Sequence, residues 1–152
     1  MSAIYTFSRE QVVKTDMDKA WEFIRSPKNL DALTPDDLSF EIITKLPDEM
    51  YSGLLIEYRI GLPLIGKQTW LTEIKHVRAH HSFVDEQRSG PYKLWYHYHE
   101  IRTHSEGVCF IDHVHYSLPG GPLGSLVNKF YVSKKLHYIF DYRAQALPKL
   151  LE

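Results

Sequence analysis

Polar and apolar residues alternate along several stretches of this chain, which is the pattern of strands that present one face to a core. The pattern predicts a first strand over residues 3–13 and two further strands within residues 92–118. Between them it predicts four more strands, over residues 38–46, 53–61, 67–77 and 81–88. Proline and glycine interrupt the pattern between these stretches, as expected for turns.

Helical spacing replaces alternation in three places. Thr15-Asp16 offers an N-cap before apolar residues at helical spacing, and Ser26-Pro27 ends that helix because proline disfavours the helical region for its predecessor. A second short helix is expected over Pro27–Leu33. From Leu123 to the end the chain is predicted to form one long helix, whose apolar stripe shifts phase near Tyr131–Ser133. The shift indicates a kink, a helix whose first turns bury a different face against a loop or ligand, or one wide apolar face in a packed helix.

This order of elements predicts an α+β fold in a single domain, residues 1–152. One strand, two short helices, six strands and a long helix form a curved seven-stranded antiparallel sheet around that last helix. We expect one dominant internal pocket between sheet and helix. Its mouth is predicted near Pro63–Gly66 and Pro119–Gly124, where breakers leave loops.

The two strands within residues 92–118 carry the most unusual side chains. A turn at Ser105–Glu106 would pair them as a hairpin and place His99 beside Asp112. Residues two apart lie on the same face of a strand, so we expect one polar and aromatic set on the concave side of the sheet, under the long helix. Its members are Trp95, His97, His99, Asp112 and Tyr116.

Composition excludes several classes of function. The net charge is −1 and basic residues are scattered, which argues against nucleic acid as the main partner. The single Cys109 excludes an internal disulfide, and no membrane span or signal peptide is evident, so a cytoplasmic location is expected. No nucleophile elbow or phosphate-binding glycine motif occurs, and we expect no cofactor.

The chain resembles the START/Bet v 1-like superfamily of helix-grip proteins, also called SRPBCC or polyketide cyclase/dehydrase-like. The resemblance lies in residues 7–35, in Gly90-Pro91-Tyr92-Lys93 with the strand that follows, in Pro119-Gly120 and in residues 139–143. It implies a bacterial branch in which such a domain is sometimes fused to an NAD-dependent epimerase-like domain. The resemblance is a poor guide to activity, because the superfamily includes carriers, hormone receptors, cyclases and proteins of unknown role.

The cluster of His97, His99 and Asp112 has three interpretations. It is a structural hydrogen-bonded network, or it binds or performs acid–base chemistry on the polar end of a ligand, or it binds a metal. No further convergent ligand is evident from sequence, so we expect no metal. Ligand contacts are also expected from Trp70, Trp95, Tyr116 and Phe130, and Arg143 is expected to pair with a carboxylate.

Three hypotheses of function follow. The first is binding or carriage of a small, largely apolar or aromatic molecule. The second is a cyclase, dehydratase or related lyase that uses His97, His99 and Asp112. The third is an interaction module for a separate oxidoreductase, which rests only on the fused relatives.

Overall fold

A computed structural model describes residues 2–62 and 65–152. Seven antiparallel strands form one sheet in the order β1-β7-β6-β5-β4-β3-β2. The strands are β1 (Tyr5–Val13), β2 (Phe40–Ile42), β3 (Leu55–Leu62), β4 (Gly66–Arg78), β5 (Ser82–Ser89), β6 (Leu94–His104) and β7 (Gly107–Ser117). The predicted α+β helix-grip architecture is confirmed. The one large difference is β2, which has three residues instead of the nine expected, because only these pair with β3 at the sheet edge.

Two short helical segments connect β1 to β2, as the sequence predicts. Helix α1 (Met17–Ile24) is capped by the Asp16 side chain, which accepts a hydrogen bond from the backbone N–H of Lys19 at 2.8 Å. The segment Pro27–Leu33 is a 3₁₀ helix. Within the described residues, no helix is long and apolar enough to cross a membrane.

The C-terminal helix consists of α2 (Pro122–Val127), a π turn (Asn128–Val132) and α3 (Ser133–Leu151). The π turn lies at the phase shift that the apolar stripe predicts near Tyr131–Ser133. One extra residue per turn rotates the helix face, so Asn128 and Val132 point inward, whereas Phe130 between them is 63% exposed.

The concave face of the sheet packs against the C-terminal helix in two apolar clusters. One cluster contains Phe83, Ile101 and Phe110 with Leu147 and Leu151 of α3. The other contains Phe7, Val114 and Tyr116 with Leu136 and Phe140 of α3. The region between these clusters is polar.

Candidate functional site

Four polar side chains from three neighbouring strands meet between the two apolar clusters. The hairpin turns at Ser105–Glu106, so His99 pairs with Asp112 across β6 and β7 in the predicted register. Strand β5 lies on the other side of β6, and its Asp85 pairs with His97. All four side chains therefore lie on the concave face, and we call them the His/Asp cluster.

Each imidazole of the His/Asp cluster bridges both carboxylates. His97 Nε2 lies 2.7 Å from Asp112 Oδ1, and its Nδ1 lies 3.3 Å from Asp85 Oδ2. His99 Nε2 lies 2.7 Å from Asp85 Oδ2, and its Nδ1 lies 3.1 Å from Asp112 Oδ1. The two imidazole rings face each other with centroids 3.6 Å apart. The four residues thus form a closed ring of polar contacts.

Aromatic rings surround the His/Asp cluster. Phe83 stacks on His99 at 4.3 Å between ring centroids, and Phe140 of α3 contacts the edge of His97 at 5.7 Å. The indole N–H of Trp95 donates to Asp85 Oδ1 at 3.0 Å. His97 is 3% exposed, whereas the other three side chains are 16–22% exposed. Solvent therefore reaches part of the cluster.

The close packing of opposite charges shifts the pKa values of the cluster. Burial by itself raises the pKa of Asp85 and of Asp112, but the charges and hydrogen bonds of the two histidines outweigh it. Both carboxyl pKa values therefore lie well below the usual range. Burial alone would lower the pKa of His97, yet the neighbouring carboxylates raise it above its ordinary value. The carboxylates thus stay ionised in the interior.

Arg143 of α3 lies over the His/Asp cluster from the helix side. Its Nη1 is 4.0 Å from Asp112 Oδ1, and its guanidinium carbon lies 5.1 Å from the Phe140 ring centroid. The predicted pairing of Arg143 with a carboxylate is thus present as a long contact. Its Nε is buried and finds no hydrogen-bond partner among the described residues. An unpaired buried donor is costly, so this nitrogen is available to an acceptor that enters the site.

Trp70, Trp95 and Tyr116, which the sequence predicts as ligand contacts, lie in one aromatic group that also includes Tyr92. The Trp70 and Trp95 rings meet edge to face at 5.1 Å, and Tyr92 lies 5.0 Å from Trp95. The hydroxyl of Tyr116 donates to Asn128 Oδ1 in the π turn at 2.7 Å. These four rings form a wall beside the His/Asp cluster.

The structure corrects two expectations about this site and adds one residue to it. Phe130 lies outside it, on the solvent side of the π turn beside exposed Leu126 and Val127. The histidines do not present a free ring nitrogen, because all four nitrogens face carboxylate oxygens. Asp85, which the sequence analysis missed, completes the cluster.

Two depressions stand out on the surface of the described residues, and both are open to solvent. One, of about 520 Å³, lies between the loop after β2 and the start of β3, and no residue of the His/Asp cluster lines it. The other, of about 360 Å³, is lined by Gly66, Lys67, Tyr131 and Lys135. It adjoins one of the two predicted mouths, of which Pro63 and Leu64 lie outside the described residues. The enclosed pocket expected between sheet and helix is not one of these two depressions.

Comparison with known proteins shows the fold. No family model matches the chain, and no curated protein matches its sequence. Protein TTHA0849 from Thermus thermophilus is 16% identical, with a TM-score of 0.68 over 96% of each chain. Ara h 8.0201 is 16% identical, with a TM-score of 0.62 over 94% of this chain and 97% of its own.

Norcoclaurine synthase from Thalictrum flavum, solved in complex with dopamine and hydroxybenzaldehyde, is also similar. It is 14% identical, with a TM-score of 0.66 over 97% of this chain and 88% of its own. These likenesses show that the chain shares the helix-grip fold of these proteins.

Proposed function

We propose that this protein binds a small, largely apolar or aromatic molecule between the sheet and the C-terminal helix, and that the molecule carries an anionic or carbonyl oxygen at one end. The observation that carries the proposal is the buried, unpaired Nε of Arg143 over the His/Asp cluster, which Trp95 of the aromatic wall contacts. A ligand oxygen that accepted a hydrogen bond there would relieve the unpaired donor. The flat apolar part of the ligand would contact Trp95 and Tyr92, which offer ring faces and edges.

The 360 Å³ depression supplies an entrance for such a ligand. Tyr131 lines this depression and also packs against the apolar cluster that contains Trp95 and Tyr116. Rotation of the Tyr131 side chain would therefore connect the surface to the aromatic wall. Lys67 and Lys135 outnumber Asp37 at the mouth, which favours an anionic ligand.

Similar proteins support this class of ligand. The norcoclaurine synthase structure holds dopamine and hydroxybenzaldehyde, which are both small aromatic molecules with polar groups. The chain shares only the fold with that enzyme, so the likeness supports the binding of a small molecule and not a particular reaction.

Fluorescence of 1-anilinonaphthalene-8-sulfonate tests the proposal, because this probe combines aromatic rings with an anionic group. We expect binding with a rise in probe emission, and a loss of affinity of roughly tenfold or more in Arg143→Met, since a hydrogen bond to a charged group is removed. The control is Arg59→Met, whose side chain is 45% exposed and pairs with Glu41 at 3.2 Å. Equal affinity in Arg143→Met and wild type, with both folded, would refute the proposed site.

The lyase hypothesis predicts a different result from the same site. A catalyst would lose turnover of its substrate by roughly a hundredfold or more when His97 or Asp112 is replaced. A carrier would lose affinity alone. Mass spectrometry of protein purified under native conditions distinguishes the two, because a carrier retains an unaltered molecule and an enzyme releases a changed one.

A further inference from the structure

We propose that Asp85, His97 and His99 form a binding site for one divalent transition-metal ion, with zinc as the representative ion. Asp112 and Trp95 would hold these three ligands in position without touching the ion. The proposal concerns the His/Asp cluster alone and does not depend on the organic ligand proposed above.

The three ligand groups converge on a small volume. Candidate ligand atoms of Asp85, His97 and His99 all lie within 4.8 Å of one another. Asp85 Oδ2 is 2.7 Å from His99 Nε2 and 3.3 Å from His97 Nδ1. A tetrahedral zinc ion with bonds of about 2.0–2.1 Å holds its ligand atoms roughly 3.3 Å apart. The contact of Asp85 with His97 already has this separation, and its contact with His99 reaches it if the carboxylate oxygen moves away by about 0.6 Å.

The ligand set is one that metals use in proteins. Two imidazoles and one carboxylate leave at least one coordination position open for water or for a ligand oxygen. Solvent reaches Asp85 and His99, whose side chains are 22% and 16% exposed, so an ion has a route of entry. Nitrogen and oxygen ligands without a thiolate favour zinc and neighbouring first-row ions.

The surrounding residues orient the ligands as the outer partners of metal sites do. Asp112 Oδ1 lies against the two ring nitrogens that do not face Asp85. It is 2.7 Å from His97 Nε2 and 3.1 Å from His99 Nδ1. The Trp95 indole N–H holds Asp85 Oδ1 at 3.0 Å and so leaves Oδ2 for the ion. Metal-binding histidines and carboxylates are regularly held by such partners.

The formal charge of the site suits a divalent ion. Asp85 and Asp112 lie together beside the two imidazoles. Two carboxylates, two neutral imidazoles and one divalent ion sum to zero. A bound divalent ion therefore adds no uncompensated charge to the interior, where such charge would be costly.

Calorimetric titration of chelator-treated protein with zinc chloride tests the proposal, with no organic ligand present. We expect one ion per chain in wild type and a loss of affinity of about a hundredfold in Asp85→Asn, which removes the anionic ligand at constant volume. Asp112→Asn is expected to weaken binding about tenfold. The control is His115→Ala, an exposed histidine bonded to Thr6, which should leave binding unchanged.

Cobalt substitution gives a second measurement that does not need a stable Asp85 variant. Visible absorption of the Co²⁺ protein reports a low-symmetry nitrogen and oxygen site, and His99→Gln should abolish the band while His115→Ala keeps it. Loss of zinc binding and of the cobalt band in the cluster variants alone supports the site. The proposal would be overturned if wild type bound zinc no more tightly than millimolar, or if wild type, Asp85→Asn and His99→Gln bound it equally. The ligand-binding proposal would stand in either case.

Discussion

The replacement Asp112→Asn tests whether the His/Asp cluster stabilises the fold. Asp112 is hydrogen-bonded to His97 at 2.7 Å, and its Oδ1 lies 3.1 Å from His99 Nδ1 and 4.0 Å from Arg143 Nη1. Asparagine preserves the volume and one acceptor oxygen but removes the negative charge. Removal of one partner from a buried charge pair costs about 3–5 kcal/mol, and the retained oxygen favours the lower end, about 3 kcal/mol.

Urea unfolding followed by tryptophan fluorescence, with EDTA present, measures the free energy of unfolding of each variant. A loss of about 3 kcal/mol corresponds to a fall of roughly 6–12 °C in melting temperature for a domain of this size. The matched control is Asp141→Asn. Asp141 also pairs with an arginine, Arg9 at 2.7 Å, but its side chain is 60% exposed, so its loss should cost under about 1 kcal/mol. Equal costs for the two replacements would refute the view that burial makes the cluster important.

The difference between wild type and Asp112→Asn should also depend on pH. His97 and His99 face Asp112 from β6, Arg9 lies opposite it on β1, and Arg143 approaches from α3. Burial raises the pKa of Asp112, but the histidines outweigh burial and hold that pKa below its ordinary value. Its contribution is therefore complete above the unfolded-state pKa of about 3.9 and is lost as pH falls through the folded-state value. We expect the difference in unfolding free energy between wild type and Asp112→Asn to be constant between about pH 5 and 6 and to be smaller below about pH 4. A difference that grew in acid would contradict this sign.

Two pairs of substitutions test the C-terminal helix and the hairpin. Phe140→Ala should cost about 3–5 kcal/mol of unfolding free energy because Phe140 is 3% exposed, whereas Phe130→Ala, at 63% exposed, should change it by less than about 0.5 kcal/mol; similar values in urea unfolding would mean that the π turn does not rotate the helix face. Gly107→Ala should be far more destabilising than Gly53→Ala. Both glycines have positive φ, but only at position 107 would a Cβ meet backbone, 2.1 Å from the carbonyl oxygen of Val13. Comparable melting temperatures for the two alanine variants would show that the strand pairs can separate there without cost.

Strand parity and a short turn were enough to predict the pairing of His99 with Asp112. The turn at Ser105–Glu106 joins adjacent strands, so sequence alone fixes which residues lie opposite each other. Side-chain alternation then places Trp95, His97 and Tyr116 on the same face. Local sequence determines both facts, so neither depends on the remainder of the fold.

Asp85 was missed although a signal for it exists. Gly90-Pro91 separates two predicted strands, and a hairpin centred on Pro91 would place Asp85 opposite His97, as the structure has it. The signal is weaker than that of the next hairpin, because a proline and a bend leave several registers open. A shift of one residue would point Asp85 away from the histidines.

The phase shift in the apolar stripe predicted a change in the C-terminal helix but not which residues would turn inward. A π turn admits one additional residue, and its position at Asn128–Val132 depends on what the sheet offers opposite. Tyr116 supplies a hydroxyl there that donates to the Asn128 side chain at 2.7 Å. A buried asparagine needs such a partner, so this pairing favours Asn128 inside and Phe130 outside.

The chemistry of the cluster depends on distances that no strand pattern contains. Parity places His97 and His99 on one face, but it allows their nitrogens to point at a ligand, at one carboxylate or at two. With Asp112 alone, the second nitrogen of each ring would lack an anionic partner and would be free for a ligand, as the sequence analysis expected. Asp85 at 2.7 Å from His99 and 3.3 Å from His97 removes that freedom. The same carboxylate adds a third potential metal ligand to the two histidines of β6. Asp85, on the neighbouring strand, therefore keeps the ring nitrogens from an organic ligand and also completes the proposed metal site.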